Sequence, residues 1–124
     1  MHDEMATKAL LRAAELVEQG WCQGVAARRA GVAVLWNAPA VDQVCLTTAL
    51  GRAVGELTGE PVAETSGRGF AAHPILVVAA RRLYAIFPVW ADGYAPIRWN
   101  NTPGRQADDV AAVLRRAATT EAAP

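Results

Sequence analysis

The sequence predicts a mainly α fold: one small domain, built as a bundle of three to four helices with a possible short β-hairpin. Apolar residues recur every three to four positions in four separate segments, which is the spacing of one helix face. The chain has 124 residues, which suits one domain, and 27 of them are alanine, so few large side chains must build the core. We expect the domain to span residues 5–118, between a flexible N-terminus at 1–4 and a flexible tail at 119–124.

The first predicted helix covers about residues 5–18. Its apolar stripe contains Leu10, Ala14 and Val17, while charged residues fall on the other faces. Gly20 follows at the place where a left-handed residue commonly closes a helix. Both its stripe and its end are therefore visible in the sequence.

A short hairpin is predicted within residues 25–35. β-branched residues lie on both sides of Ala30-Gly31, and glycine's freedom at positive φ suits the turn between two strands. Alanine, which is frequent in this segment, has little strand preference. The turn therefore carries the prediction.

The second predicted helix covers about residues 41–57. Leu50 and Val54 belong to an apolar repeat of about four residues. Gly59, followed by Pro61, is a typical end to such a helix. We expect the helix to stop at this pair.

A third apolar run begins at His73-Pro74, and we interpret it as a helix that ends before Pro88. Proline is well tolerated in a first helical turn. The alternative is a buried strand through residues 75–78, because a short apolar run fits either structure. The arginine pair at 81–82 favours the helix.

Residues 88–101 predict an ordered but irregular connection. They contain two prolines, an Asp-Gly turn signal and large aromatic side chains. The last predicted helix follows at about residues 107–118. Two aspartates lie in its first turn and two arginines in its last, which is the arrangement that the helix dipole favours.

Charge and apolar runs limit the partners that we expect. Twelve basic residues balance twelve acidic ones, so no net field attracts nucleic acid or an anionic membrane. The longest apolar stretch, residues 75–80, is far shorter than the roughly 20 residues that a bilayer requires. Residues 1–8 show no export signal. We therefore expect a cytoplasmic protein without a membrane partner, and we do not favour nucleic acid as a partner. In the reducing cytoplasm Cys22 and Cys45 should be free thiols.

Three segments of the chain carry specific motifs. They read ALLRAAELVEQGWCQGVAAR, VCLTTALGRAVG and IRWNNTPGRQADDVAAVLRRAA. Together they resemble a family from actinobacteria and their phages that is known only as a domain of unknown function. In that family Gly-Trp-Cys-Gln-Gly ends the first helix, and a Trp-Asn-Asp segment leads through Gly-Arg into the last one. The resemblance implies no activity, and Thr48, Asn101 and Gln106 stand where the family has glycine, aspartate and threonine.

The first functional hypothesis is a small cysteine-dependent enzyme. Cys22 would be the nucleophile, His73 its base and Asn100 or Asn101 the amide that orients the base. Reactive thiolates favour positive surroundings, however, and Cys22 follows the negative end of a helix without a basic neighbour in sequence. We therefore favour structural roles, in which Cys22 packs a helix terminus and His73 caps a helix.

Metal and cofactor sites are not predicted. The available soft ligands, which include Cys22, Cys45 and His73, form no close pair of the kind that binds zinc. The two cysteines could instead meet between the first two helices as a redox pair, although simple core packing is favoured. We expect neither a metal nor a cofactor.

The leading hypothesis is a non-catalytic binding or protein-interaction module, with a protein partner, a homodimer or a small-molecule ligand. Its predicted surface consists of aromatic and amide side chains: Trp21, Gln23, Trp90, Tyr94, Trp99 and Asn101. Large rings on irregular backbone are common interface anchors. Arginine pairs at 28–29, 81–82 and 115–116 could join these rings in nucleic-acid binding, but solvated charge is the favoured interpretation.

Overall fold

The computed structural model describes residues 2–60, 73–86 and 95–120. Within these ranges five helices accompany one three-stranded antiparallel sheet, which confirms the predicted mainly α class and the hairpin. In chain order the elements are α1 (His2–Gln19), β1 (Ala27–Arg29), β2 (Val32–Val34), β3 (Gln43–Val44), α2 (Leu46–Thr58), α3 (Pro74–Ile86), α4 (Ala95–Asn100) and α5 (Ala107–Ala118). None of the helices in these ranges is both long enough and apolar enough to cross a membrane.

Helix α1 is the centre of the bundle, because it packs against α2, α3 and α5. Its buried face is mostly alanine, which lets the neighbouring helices come close. The large, fully buried leucines of the core are Leu10, Leu46, Leu50, Leu76, Leu83 and Leu114. Each buried leucine contributes roughly 1.5–3 kcal/mol, so a few large side chains carry much of the core's stability, as the alanine content predicts.

The N-terminal residues 2–4 belong to helix α1, which we predicted to begin at about residue 5. Helix α1 begins at His2, and Asp3 is held by the guanidinium of Arg82, which is only 4% exposed. Arg82 donates to the side chain and the carbonyl of Asp3 at 2.5 and 2.7 Å, to the Thr7 hydroxyl at 2.5 Å and to the Ala118 carbonyl at 3.1 Å. One buried arginine thus joins the start of α1 to the end of α5.

The hairpin has the predicted turn. Strands β1 and β2 pair antiparallel, with Arg29 opposite Val32. Ala30 and Gly31 between them both have positive φ, 51° and 80°, as in the two-residue turns that suit the twist of a hairpin.

Strand β3 pairs with the other side of β1 and lies within the segment that we predicted as the start of the second helix. Helix α2 therefore begins at Leu46, later than predicted. Its end is as expected, because Gly59 closes it with a φ of 73° and donates its N–H to the Gly55 carbonyl at 2.9 Å.

Gly20 is required for a close approach and not, as predicted, for a left-handed helix end. Its φ is not positive, and a Cβ there would lie 1.9 Å from the carbonyl oxygen of Asp42. This contact lets the chain after α1 run alongside β3, where Trp21 and Val44 form a parallel bridge. The glycine thus brings the Gly-Trp-Cys-Gln-Gly segment against the sheet.

Of the last three helices, α3 and α5 confirm the predictions and α4 corrects one. Helix α3 confirms the helical interpretation of the third apolar run and excludes the strand alternative at 75–78. Residues 95–100 form helix α4, although the segment 88–101 was predicted to be irregular throughout. A six-residue helix is too short for its apolar residues to repeat at helical spacing, so the sequence does not reveal it. Helix α5 has the predicted bounds, and the Asp109 carboxylate accepts the Gln106 N–H at 2.9 Å at its start.

Candidate functional site

The candidate site lies where α4 ends against the segment that follows α1. We call it the Asn100 junction, and it consists of residues 21–24, Leu46 and residues 99–102. The Asn100 side chain is 1% exposed and lies at its centre.

All the hydrogen-bonding positions of the Asn100 carboxamide are used. Its Oδ1 accepts from the indole Nε1 of Trp21 at 2.8 Å and from the Leu46 N–H at 3.1 Å. Its Nδ2 donates to the Cys22 carbonyl and to the Asn101 Oδ1, both at 3.1 Å. A carboxamide has two acceptor and two donor positions, so this one has no capacity left for a ligand.

The backbone explains why an amide is needed here. The Val44 N–H donates to the Gly20 carbonyl at 2.9 Å, and the Cys22 N–H to the Val44 carbonyl at 3.1 Å, as in a parallel ladder. The next bond of that ladder would join Leu46 to Cys22. Because Leu46 begins α2, this bond is not made, and the Asn100 amide fills the gap between the two backbone groups.

Asn101 and Gln23 extend the same bonding outward. The Asn101 Oδ1 accepts the Gly24 N–H at 2.9 Å. The Gln23 Nε2 donates to the carbonyls of Asn100 and Thr102 at 2.9 and 3.0 Å. The segments 21–24 and 100–102 therefore bind each other through side chains, most of which bond to main-chain groups of the opposite segment.

Trp99 is stacked within the fold. The Arg105 guanidinium lies 3.9 Å from the centre of its ring, and the Arg105 Nε donates to the Trp99 carbonyl at 3.1 Å. A cation over an indole face is an attractive pair. The indole that we predicted for a partner surface thus already has a partner in the chain.

The Cys22 thiol is protonated at neutral pH. It is 6% exposed, and its Sγ donates to the Val25 carbonyl at 3.7 Å. Burial raises the pKa of Cys22 to about 11, the charge of Cys45 adds to the rise, and Arg28 opposes it. Reactive cysteines have depressed pKa values, so this environment is the opposite of an activating one.

His73 is at the other end of α2 from Cys22. Its Nδ1 accepts the Ile75 N–H at 3.1 Å, and its Nε2 lies 3.2 Å from the Glu60 carboxylate, beyond the C-terminal end of α2. Cys22 lies near the opposite end, where its N–H binds Val44. A helix of 13 residues is about 20 Å long, so the structure does not bring the histidine to the thiol. His73 caps α3, as the structural alternative predicted.

An open groove of about 380 Å³ borders the junction along Trp21, Cys22 and Gln23, and two further cavities lie nearby. One of about 140 Å³ is lined by residues 24–26, Cys45, Thr47, Ile97 and Asn101. The other, about 500 Å³ and mainly apolar, runs along β2 and is lined by Val25, Ala26 and residues 33–36. Among the described residues no group of three histidines, cysteines or acids could hold a metal ion.

The junction contains residues of all three motif-bearing segments, since Asn100 binds both Cys22 and Leu46. The model of a family of unknown function, DUF6197, matches residues 1–120. The chain belongs to this family. No curated protein and no solved structure matches it.

In this DUF6197 chain six of the predicted site residues lie at the junction: Trp21, Cys22, Gln23, Trp99, Asn100 and Asn101. Trp90 and Tyr94 lie outside the described residues. Sequence reasoning did not include the hairpin among candidate surfaces, yet Val32 is 65% and Leu35 72% exposed. The available signal was the apolar Val32, which directly follows the turn at Ala30-Gly31.

Proposed function

We propose that the protein is a non-catalytic module that acts by binding another protein molecule. The proposal rests on one observation: the side chains that we considered for catalysis are already bonded within the chain or buried. The carboxamide of Asn100 is saturated by groups of the chain, the Cys22 thiol is buried, and His73 caps a distant helix. A catalytic acid or base must be able to reach its substrate, and a catalytic thiol has a depressed pKa, whereas burial raises the pKa of Cys22. The residues at the junction are better suited to holding the scaffold together.

The binding surface that we propose is the outer edge of the sheet. Strand β2 is at this edge, because the strand order is β2-β1-β3 and the far side of β3 is covered by Trp21. Val32 of β2 is exposed, and Leu35, which directly follows β2, is exposed and lines the 500 Å³ groove. An uncovered edge with apolar side chains can pair with an extended strand of another chain. The favoured partner is therefore an extended apolar segment of a protein, either different or a second copy.

Leu35→Asp tests this surface, with Leu11→Asp as the matched control, because Leu11 is also an exposed leucine at 42% but lies on α1. Light scattering after size exclusion would measure self-association, and a purified candidate partner would be titrated by calorimetry. We expect Leu35→Asp to weaken the complex at least tenfold and Leu11→Asp to leave it unchanged. A strict monomer that binds no partner, or equal losses in both variants, would contradict the proposal.

The proposal includes the cytoplasmic setting and the actinobacterial or phage origin that the sequence suggested. Both described cysteines are unbonded, which is consistent with a reducing compartment. Nucleic acid stays a disfavoured partner, because Arg82 and Arg115 are already paired with Asp3 and Glu18. A small molecule stays an alternative partner, because an open groove of about 380 Å³ beside the junction is within the size range of ordinary ligand sites.

A further inference from the structure

We propose that Cys22 and Cys45 are a redox pair that closes into an intramolecular disulfide when the protein meets a small-molecule disulfide such as oxidised glutathione. The bond would fix the base of the three-stranded sheet. This inference stands apart from the proposed binding function, because it rests on other residues.

Backbone pairing places the two cysteines side by side. Trp21 and Val44 face each other in a parallel bridge, bounded by the bonds from Val44 to Gly20 and from Cys22 to Val44. Cys22 and Cys45 are the next residues along the two segments. Neighbours across paired strands are about 4.8 Å apart, and residues at matching positions point to the same side. Disulfides require Cα atoms about 4.4–6.8 Å apart, so this placement is suitable.

The side chains are consistent with this placement. Both thiols are buried, at 6% and 7% exposure, and neither is bonded to another sulfur. The pKa of Cys22 is raised chiefly by burial and secondarily by the neighbouring Cys45. The Cys45 Sγ lies 3.3 and 3.4 Å from the hydroxyls of Thr47 and Thr48, so its other contacts are weak and exchangeable. Nothing covalent has to break for the sulfurs to join.

The exchange is balanced in atoms and electrons. The Cys22 thiolate attacks one sulfur of glutathione disulfide, forms a mixed disulfide and expels one glutathione thiolate. The Cys45 thiolate then attacks the Cys22 sulfur and expels the second glutathione. The protein loses two electrons and two protons, and one glutathione disulfide becomes two thiols. The small disulfide reaches the Cys22 sulfur from the open groove that Cys22 lines with Trp21, Gln23, Arg28 and Gln43.

The raised pKa makes the first step slow at neutral pH, and the second is favoured because the partner is held in place. The closed loop would run from residue 22 to residue 45 and contain β1, β2 and β3. Such a link restricts the unfolded chain, so the oxidised protein should be the more stable form. We therefore expect the disulfide to form slowly under oxidising conditions and to stabilise the fold once it has formed.

The test incubates the intact native protein with oxidised glutathione at pH 8.5, quenches it with acid and measures the mass. We expect the loss of two hydrogens without dimers, a peptide in which Cys22 is linked to Cys45, and a melting temperature raised by several degrees. Cys22→Ser and Cys45→Ser should each abolish the loss of two hydrogens and the rise in melting temperature. Fluorescence and circular dichroism of the native protein confirm that it is folded during the reaction.

Three outcomes would overturn the inference. They are an unchanged mass, a glutathione adduct that never resolves, and a disulfide that forms only in denaturant or only between molecules. Failure of the Leu35→Asp test would not bear on this result, because the mass and the melting temperature do not depend on a partner.

Discussion

The side chain of Asn100 caps helix α2 from 54 residues away, because its Oδ1 accepts the N–H of Leu46, the first residue of that helix, at 3.1 Å. The first N–H groups of a helix have no partner within it, and the local cap residue, Cys45, makes no side-chain capping bond. A distant asparagine supplies what the adjacent residue does not. The helix start, the sheet and α4 therefore depend on one another.

Replacing Asn100 should be far more damaging than replacing its neighbour. Asn100→Asp removes the two donor bonds and buries a carboxylate against the Cys22 carbonyl, so we expect a loss of roughly 2–4 kcal/mol in the free energy of unfolding. Asn101→Asp keeps the Oδ1 that accepts the Gly24 N–H on an exposed residue and should change stability by less than about 0.5 kcal/mol. Urea denaturation followed by circular dichroism measures both. Equal effects would contradict the central role of Asn100.

The stability of the protein should fall as the pH rises from about 9 to about 11. The pKa of Cys22 is about 11 in the folded chain and 9.0 in its ordinary state, so folding favours the protonated thiol. This contribution is complete below pH 9 and is lost as the pH passes the folded value, with a size on the order of 2 kcal/mol. Urea midpoints across this pH range measure it.

Cys22→Ala is the control for that pH dependence, because it removes the titrating group. The variant should be less stable at pH 8 but should lose less stability on going to pH 11. A parallel decline in both proteins would show that Cys22 is not the group responsible.

Gly20→Ala should destabilise the fold more than Gly31→Ala. A Cβ at Gly20 would lie 1.9 Å from the Asp42 carbonyl oxygen, and the backbone must move to relieve this clash. Gly31 has open space around it but a φ of 80°, so alanine there carries only backbone strain of roughly 1–2 kcal/mol. We expect about 3 kcal/mol or more at Gly20. Thermal melts of the two variants decide, and a reversed order would be incompatible with the close approach.

Arg82→Met should be strongly destabilising, and Arg81→Met nearly neutral. Arg82 is buried and binds Asp3, Thr7 and the Ala118 carbonyl, whereas Arg81 is exposed. Loss of these bonds should lower the free energy of unfolding by about 2–3 kcal/mol. The ion pair with Asp3 adds little to this value, because the Asp3 side chain is largely exposed to solvent. Denaturant unfolding gives both values, and hydrogen exchange near residues 3–7 should become faster in Arg82→Met alone. If the Arg81 variant lost as much, the buried network would not be the cause.

The sequence predicts the parts of the fold that rest on local signals. The bounds of α5 follow from its charged ends and apolar face, and the hairpin turn follows from Ala30-Gly31. Strand β3 was missed because Gln43 and Val44 are strand only through pairing with β1, whose sequence lies elsewhere. Local propensity cannot show such a partner.

The candidate site was half predictable for the same reason. The motif segments around Cys22 and Asn100 were singled out together, and they do bind each other. The segments do not predict the structural role of the Asn100 side chain in this contact. Asn100 completes a backbone ladder that is interrupted where Leu46 begins a helix, and this gap exists only in three dimensions.

The Asn100 contact also constrains the order in which the chain can mature. During synthesis the N–H of Leu46 and the carbonyl of Cys22 emerge from the ribosome long before residue 100 does, and in the native fold each receives its bond from that residue. Until residue 100 is made, the N–H at the start of α2 and the carbonyl of Cys22 can form hydrogen bonds only with water. Because such distant closure slows folding, the nascent protein is most exposed to proteases and chaperones just before its last quarter is made.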